Sequence, residues 1–240
     1  MIREVIIGVI CTIISSILTI AITKLFLGYK NLHGIRKTAR FHKDCYTSGI
    51  INVFPDRKAY IQHKDHGKSN EYISRASHSV LYVGYWLATS IELGEITSTV
   101  KSLIDKQITV TLVFLAPNDK SCLEICSKYI AVEPIEIQER IETALKRILE
   151  FKKTLDSDQS KFLVVKTHNV PLSTTAFVID YAYDNQCKVL LDYKIFNGTR
   201  ESSYGIEYQN SKKTITSKIL KSYISVSKSA IEINNMEDIK

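Results

Sequence analysis

The stretch from Val5 to Thr23, VIIGVICTIISSILTIAIT, contains no charged residue and constrains everything that follows it in the chain. A helix needs roughly 20 apolar residues to cross the hydrocarbon core of a bilayer, so this run has the length of a single span. Its serine and threonine hydroxyls can bond to carbonyls of the preceding helical turn, which makes them compatible with lipid. The sequence therefore predicts a transmembrane anchor over residues 1–29, with Lys24 reaching toward the headgroups.

Three other interpretations of this run stay open. A cleaved signal peptide has a basic start and a shorter apolar core, whereas Arg3 is followed here by Glu4 and the apolar run is long. A core helix that is apolar on all faces needs a large protein around it, and this chain has 240 residues. The third interpretation is a helix that mediates assembly in solution. The insertion energetics of such a run favour the membrane anchor.

The charges that flank the run predict its orientation. Arg3 precedes it, whereas residues 30–47 form a basic linker that contains Lys30, Arg36, Lys37, Arg40 and Lys43. The positive-inside rule places such a flank in the cytoplasm. We therefore expect a single-pass membrane protein whose N-terminus lies outside and whose C-terminal domain is cytoplasmic, at the inner membrane if the source is bacterial. The linker is expected to contact membrane lipid rather than nucleic acid.

The composition after the anchor is that of one globular domain. About 210 residues remain, which suffices for a single hydrophobic core. The net charge of +7 permits a phosphate-bearing ligand without requiring one, and it is not a strong nucleic-acid signal. The five cysteines include no CxxC pair, so we expect reduced thiols and no zinc site. We expect no cofactor.

Apolar periodicity predicts an α/β domain over residues 48–228, followed by a polar tail at 229–240. The runs SGIINVF, SVLYVGYWL and VTLVFLAP predict strands that alternate with two helices, and this order indicates a parallel core. Two more helices follow. The later runs KFLVVKTHN, TAFVIDY, KVLLDYKIF and SYGIEYQ predict an antiparallel extension of the same sheet before a closing helix. The expected fold class is a transmembrane helix followed by one mixed-sheet, three-layer α/β domain.

Candidate binding residues lie in the loops after the predicted strands, because ligands bind beyond the carboxyl ends of parallel strands. These residues are Asp56, Arg57, Tyr85, Trp86, Asn118, Asp119, Lys166, Asn197 and Thr199. Helix capping or mutual pairing is the competing explanation for Asp56 and Arg57, and core packing is the competing explanation for the two aromatic residues. Walker, GxGxxG, HExxH and GxSxG motifs are absent from the sequence.

His168 is the candidate catalytic residue. It ends a strongly predicted strand, where a nucleophile or base could face a cleft. The competing explanation is a loop histidine that hydrogen-bonds locally. The HKDH string that begins at His63 lacks acidic or thiol companions, so we expect no metal site.

The order of SGIINVFPDR, SVLYVGYWL, VTLVFLAPND and the hairpin KFLVVKTHNVPLSTTAFVIDY resembles a phospholipase D-like domain. Active members of that superfamily carry His-x-Lys-x4-Asp, in which the histidine attacks phosphorus and the lysine holds the phosphate charge. The resemblance implies His168 as the nucleophile, but Val170 stands in place of the lysine and Thr175 in place of the aspartate. Asn197-Gly198-Thr199 is similar to the later Gly-Thr pair. The copy is therefore expected to be degenerate.

These observations lead to a main hypothesis and two alternatives. The main hypothesis is a membrane-anchored, non-catalytic sensor or effector whose cytoplasmic domain binds a nucleotide or protein partner and controls the membrane helix. Its plan is similar to that of bacterial anti-phage membrane effectors, and the superfamily resemblance also implies a homo-oligomer. One alternative is a membrane-tethered phosphodiesterase or nuclease in which His168 works with Lys166 or Lys194. The other is a structural membrane adaptor without a small ligand.

Overall fold

The structure is a computed structural model, and it describes residues 40–41, 43–45, 47–63, 67–87, 94–183, 186–199, 202–209 and 215–239. The chain divides into two units, residues 1–47 and 48–240. The described residues of the first unit are helical, and the Thr47 hydroxyl donates to the Asp44 carbonyl at 3.0 Å. The predicted anchor and most of the basic linker lie outside the described residues. Within the described ranges, no helix combines the length and apolar character that a membrane span requires.

The second unit is built on a mixed sheet with eight strands in its described part. They are β1 (Ile50–Phe54), β2 (Ser79–Gly84), β3 (Thr109–Leu115), β4 (Leu163–His168), β5 (Thr174–Ile179), β6 (Lys188–Tyr193), β7 (Tyr204–Gln209) and β8 (Ile231–Glu232). Their order across the sheet is β1-β7-β6-β5-β2-β3-β4-β8. β3 is parallel to β2 and to β4, and the described pairings elsewhere in the sheet are antiparallel.

The predicted α/β class with a mixed sheet is confirmed, but two strands sit elsewhere than expected. The prediction that β1 belongs to the parallel core is wrong, because β1 lies at the sheet edge, antiparallel to β7. Its Ile51 and Val53 side chains are exposed, as suits an edge strand. The prediction that β4 belongs to the antiparallel extension is also wrong, because β4 runs parallel to β3. The long helical crossover between β3 and β4 permits this parallel return.

Helices cover both faces of the sheet, which gives the three predicted layers. They are α1 (Arg57–Gln62), α2 (Ser69–Ile73), α3 (Glu95–Asp105), α4 (Lys120–Ile130), α5 (Pro134–Lys153), α6 (Ser157–Ser160) and α7 (Ile215–Ser229), with a 3₁₀ helix at Met236–Asp238. One core cluster packs α3, α4 and α5 against one face, and a second packs α7 against the other. α5 begins at Pro134, as predicted, because proline suits the first turn of a helix.

The described part of the predicted polar tail, residues 229–239, contributes to this domain. β8 pairs with β4, with Ile231 opposite Thr167. Ile233 is fully buried, and its N–H donates to the Val165 carbonyl at 3.0 Å. The spacing of Ile231 and Ile233 fits a short strand that closes the edge of the sheet.

Candidate functional site

A cleft opens beyond the strand ends in the middle of the sheet, where β2 ends and β5 begins. Its cavity has about 80 Å³ of room for water-sized molecules. The strand register brings distant parts of the chain together there, since Val83 pairs with Ala176, and Thr175 pairs with Asp192. Asp192 in turn lies opposite Gly205, which pairs with the last residue of β1. Arg57, in the first turn of α1, therefore reaches the same cleft.

Asp192 is the buried anion of the cleft. Its Oδ2 atom lies 3.4 Å from Arg57 Nη1 and accepts a hydrogen bond from Lys194 Nζ. Asp192 is 3% exposed, and the Lys194 side chain is 8% exposed. Both cations meet Oδ2, and Oδ1 has no hydrogen-bond partner in the part of the chain that the structure describes. Asp192 Oδ1 is thus a buried acceptor atom without a donor among the described residues.

Aromatic side chains and a third cation complete the cleft. The Arg140 guanidinium lies 5.6 Å from the centroid of the Trp86 ring, a cation–π distance, and it also donates to Glu136 on its own helix. Trp86 is partly exposed, whereas Tyr85 is buried beside it with ring centroids 5.9 Å apart. The Tyr85 hydroxyl donates to the Leu172 carbonyl, and burial raises the pKa of Tyr85 well above its usual value. Tyr85 therefore stays protonated.

Gly84 allows the cleft to form at the end of β2. A Cβ atom at this position would lie 2.6 Å from the Tyr82 hydroxyl and 2.8 Å from Thr175 Cγ2, closer than side chains tolerate. The Tyr82 hydroxyl donates to the Trp86 carbonyl at 2.9 Å and so fixes the loop that carries the tryptophan. The absence of a side chain at Gly84 lets Tyr82 hold this loop in place.

His168, the predicted nucleophile, lies outside the cleft. It is 3% exposed, and its Nδ1 accepts a hydrogen bond from the Val170 N–H at 3.2 Å. The ring proton therefore resides on Nε2, which donates to the Gly84 carbonyl at 3.2 Å. Burial lowers the pKa of His168 to about 4, so the ring is neutral at physiological pH. Both ring nitrogens are hydrogen-bonded to backbone groups. This arrangement is the one expected of a histidine that hydrogen-bonds locally, the competing explanation to a catalytic role.

Asn118 and Asp119 border a second cavity with His168, away from Asp192. Asp119 caps α4 by accepting from the Cys122 N–H at 3.0 Å. Asp56 caps α1 by accepting from the Ala59 N–H at 2.7 Å. Both carboxylates are therefore helix N-caps.

Lys166, Asn197 and Thr199 also lie apart from the cleft lining. Lys166 donates to the Ser227 carbonyl at 3.1 Å. The Asn197 N–H donates to the Lys128 carbonyl at 2.7 Å, and the Thr199 carbonyl accepts from the Ser202 hydroxyl at 2.7 Å. Of the predicted site residues, the structure brings Arg57, Tyr85 and Trp86 together.

Sequence reasoning did not select Asp192 or Arg140, and it considered Lys194 only as a substitute lysine. An aspartate inside the apolar run KVLLDYKIF is a usable signal, because a buried carboxylate needs a partner. Arg140 offers no such signal, since it is one of several basic residues on α5. The described residues include no cluster of histidine, cysteine and carboxylate side chains suited to a metal ion.

Asp180, which lies too far from His168 to fill the superfamily spacing, holds the start of β2. Its Oδ1 accepts from the N–H groups of Ser77, His78 and Ser79 at 2.9, 2.7 and 3.2 Å.

Two solved structures are similar to this chain. One is Nuc from Salmonella typhimurium, a phospholipase D family member, with a TM-score of 0.43 and 10% identity over 69% of this chain and 88% of that one. The other is phosphatidylserine synthase from Haemophilus influenzae Rd KW20, with a TM-score of 0.47 and 11% identity over 72% of this chain and 39% of that one. No family model and no curated protein matches the sequence. These likenesses transfer no residue role to this chain.

Proposed function

We propose that this chain is a membrane-anchored, non-catalytic binding protein whose α/β domain holds a small phosphate-bearing ligand, such as a nucleotide, in the cleft around Asp192. The observation that carries the proposal is the set of charged residues that line the described cleft: three cations, Arg57, Arg140 and Lys194, and the carboxylate of Asp192, with Arg140 also paired to Glu136 on its own helix. Cations beside low-dielectric walls attract phosphate, and guanidinium groups bind its oxygens well. A partly exposed Trp86 adds an apolar surface for a ring.

The proposal is for binding without hydrolysis because the described cleft lacks an activated nucleophile. His168 has both ring nitrogens hydrogen-bonded to backbone groups and borders a different cavity. Counted from His168, Val170 stands at the lysine position of the superfamily spacing and Thr175 at the aspartate position. A phosphodiesterase that uses covalent phosphohistidine needs a histidine that reaches the phosphorus. No observation in the described residues favours that second function.

The membrane part of the proposal rests on the apolar run from Val5 to Thr23 and on the basic flank behind it. We propose that ligand or protein binding to the cytoplasmic domain sets the association of membrane helices in a homo-oligomer. The run carries hydroxyl side chains, which can form contacts between helices in lipid. The proposal extends to the anti-phage effector role on the strength of this plan alone.

A ligand screen on the full chain in detergent tests the binding proposal. We expect nucleoside monophosphates to raise the melting temperature of the wild type. The variant Arg140→Gln should bind at least about tenfold more weakly, because it loses a charge-assisted contact. Arg147→Gln is the matched control, since Arg147 is exposed on the same helix and does not line the cleft. Absence of stabilisation by any phosphate ligand, or equal effects of the two substitutions, would contradict the proposal.

A further inference from the structure

A defined turn after β6 presents two large apolar side chains to solvent. Ile195 and Phe196 are 44% and 60% exposed. The Gly198 N–H donates to the Ile195 carbonyl at 2.7 Å, and Asn197 adopts a positive φ of 56°, which asparagine tolerates well. A Cβ atom at Gly198 would lie 2.8 Å from the same carbonyl, closer than side chains tolerate. The backbone of the turn therefore holds Phe196 at its tip.

This turn rests on the end of α4. The Asn197 N–H donates to the Lys128 carbonyl at 2.7 Å and so satisfies one of the carbonyls that the last turn of a helix leaves open. The Phe196 ring meets the Tyr129 ring edge to face, with centroids 5.9 Å apart. Ile125, 40% exposed, lies one helical turn before Tyr129 on the same side of α4. We call the four apolar side chains the Phe196 patch: Ile125, Tyr129, Ile195 and Phe196.

The Phe196 patch adjoins the cleft along both of its chain segments. Lys194, which precedes Ile195, lines the cleft, and so does Ile130, which follows Tyr129. Whatever contacts the patch therefore lies next to the mouth of the cleft.

Membrane lipid is the partner that fits this patch. The linker at residues 30–47 spans at most about 60 Å even when fully extended, so the predicted anchor keeps the domain close to a bilayer. Aromatic and aliphatic side chains are favoured in the headgroup region, and the exposed Lys128 beside them suits anionic lipid. Four partly exposed side chains offer much less than the roughly 800 Å² that each partner buries in a stable protein interface.

We propose that the Phe196 patch inserts Ile195 and Phe196 into the interface of the membrane that holds the anchor, so that the cleft lies beside the cytoplasmic leaflet. This inference rests on the membrane part of the proposed function and adds the surface of the domain that contacts lipid. Two inserted side chains bind a bilayer weakly on their own, but the anchor makes their insertion an intramolecular step with a high effective concentration.

Quenching of tryptophan emission by lipid tests the inference in the full chain. Trp86 is the single tryptophan of the sequence, so Trp86→Phe removes the native emission and Phe196→Trp in that background reports on the tip of the turn. The variant is reconstituted in nanodiscs of phosphatidylcholine and phosphatidylglycerol with brominated acyl chains. We expect its emission to be at least about twofold lower than in nanodiscs without bromine, because an inserted ring reaches the acyl boundary.

Two controls make the assignment specific. Tyr183→Trp in the same background should keep its emission, because Tyr183 is 49% exposed and follows β5 at the opposite end of the sheet. Ile195→Asp, added to the reporter variant, should abolish the quenching because a carboxylate resists transfer into lipid. Ile231→Asp, at an exposed isoleucine on β8, should leave the quenching unchanged.

The outcomes separate the inference from the proposed function. Failure of the full chain to co-elute with nanodiscs would overturn the membrane anchor. Co-elution without quenching at position 196, equal quenching at positions 183 and 196, or equal effects of the two aspartate substitutions would overturn the inference alone. A blue shift at position 196 without quenching would assign the patch to a protein partner and would likewise overturn it.

Discussion

The imidazole of His168, at the end of β4, donates to the carbonyl of Gly84 at the end of β2 and so spans the intervening strand β3. The other ring nitrogen accepts from the Val170 N–H. This arrangement requires a neutral ring, and burial lowers the pKa of His168 to about 4. The residue that looks most catalytic in the sequence therefore ties the end of β4 to the end of β2.

The lowered pKa of His168 predicts that the protein loses stability in mild acid. The unfolded chain binds a proton near the ordinary histidine pKa of about 6.5, whereas the folded chain does so only near pH 4. This contribution to stability is fully present above pH 6.5 and is lost progressively down to about pH 4, at a total cost of about 3 kcal/mol. Denaturant unfolding of the full chain at a series of pH values measures it. His168→Asn should flatten the pH dependence over that window, and an unchanged slope would contradict the prediction.

Removal of the Asp180 carboxylate should cause a large loss of stability. Its carboxylate accepts from three successive N–H groups at the start of β2, those of Ser77, His78 and Ser79. Asp180→Ala leaves these donors without their acceptor, so we expect the free energy of unfolding to fall by about 2–4 kcal/mol. Asp158→Ala is the control, because the Asp158 side chain is 87% exposed and its pair with Lys161 is superficial. Similar losses in the two variants, measured by urea titration, would count against the assigned role.

A side chain at Gly84 should clash with its neighbours, and a second substitution should relieve that clash. Gly84→Ala places a methyl group 2.6 Å from the Tyr82 hydroxyl, and we expect a loss of about 1–3 kcal/mol in the free energy of unfolding. Tyr82→Phe removes the nearest clashing atom. The double variant should therefore be more stable than the sum of the two single losses predicts, which a double-mutant cycle measures. If the loss in the double variant equals the sum of the two single losses, the clash with the Tyr82 hydroxyl is not the cause of the Gly84→Ala loss.

The anchor is tested by extraction from membranes. The full chain should stay in the membrane pellet after a sodium carbonate wash, as an integral protein does. Ile13→Asp combined with Ile17→Asp puts two charges in the middle of the run, each at a cost of about 3 kcal/mol, and should release the chain into the supernatant. Leu27→Asp, near the end of the predicted anchor, is the control that should remain with the membrane. Extraction of the wild type would show that the run does not span.

The sequence predicts which segments form strands and helices better than it predicts which strands lie next to each other in the sheet. The two-sided apolar runs of β2 and β3 identify a covered parallel core, and both strands lie where the pattern indicates. Strand order depends on the length of each crossover and on which strand faces solvent. The alternation of buried Phe54 and exposed Val53 marks β1 as an edge strand, although the order of elements suggests otherwise.

The site is only partly predictable because it is assembled through strand register. Arg57 and Asp192 are 135 positions apart, and they meet because β6 pairs with β7 and β7 with β1. Arg57, Tyr85 and Trp86, which the strand-end loops select, line one cleft. The same rule selects Asp56 and Asp119, whose carboxylates cap helices instead. Spacing along the chain does not distinguish a capping carboxylate from one that faces a cleft.

The most direct test of the account is whether the cleft holds a nucleotide and returns it unchanged. Equilibrium dialysis of the full chain in detergent against a panel of radiolabelled nucleoside monophosphates, followed by chromatography of the recovered ligand, measures both properties. The account predicts saturable binding that Arg140→Gln weakens and Arg147→Gln does not, with the nucleotide recovered intact. Absence of saturable binding, or conversion of the nucleotide by the wild type that His168→Asn abolishes, would contradict it.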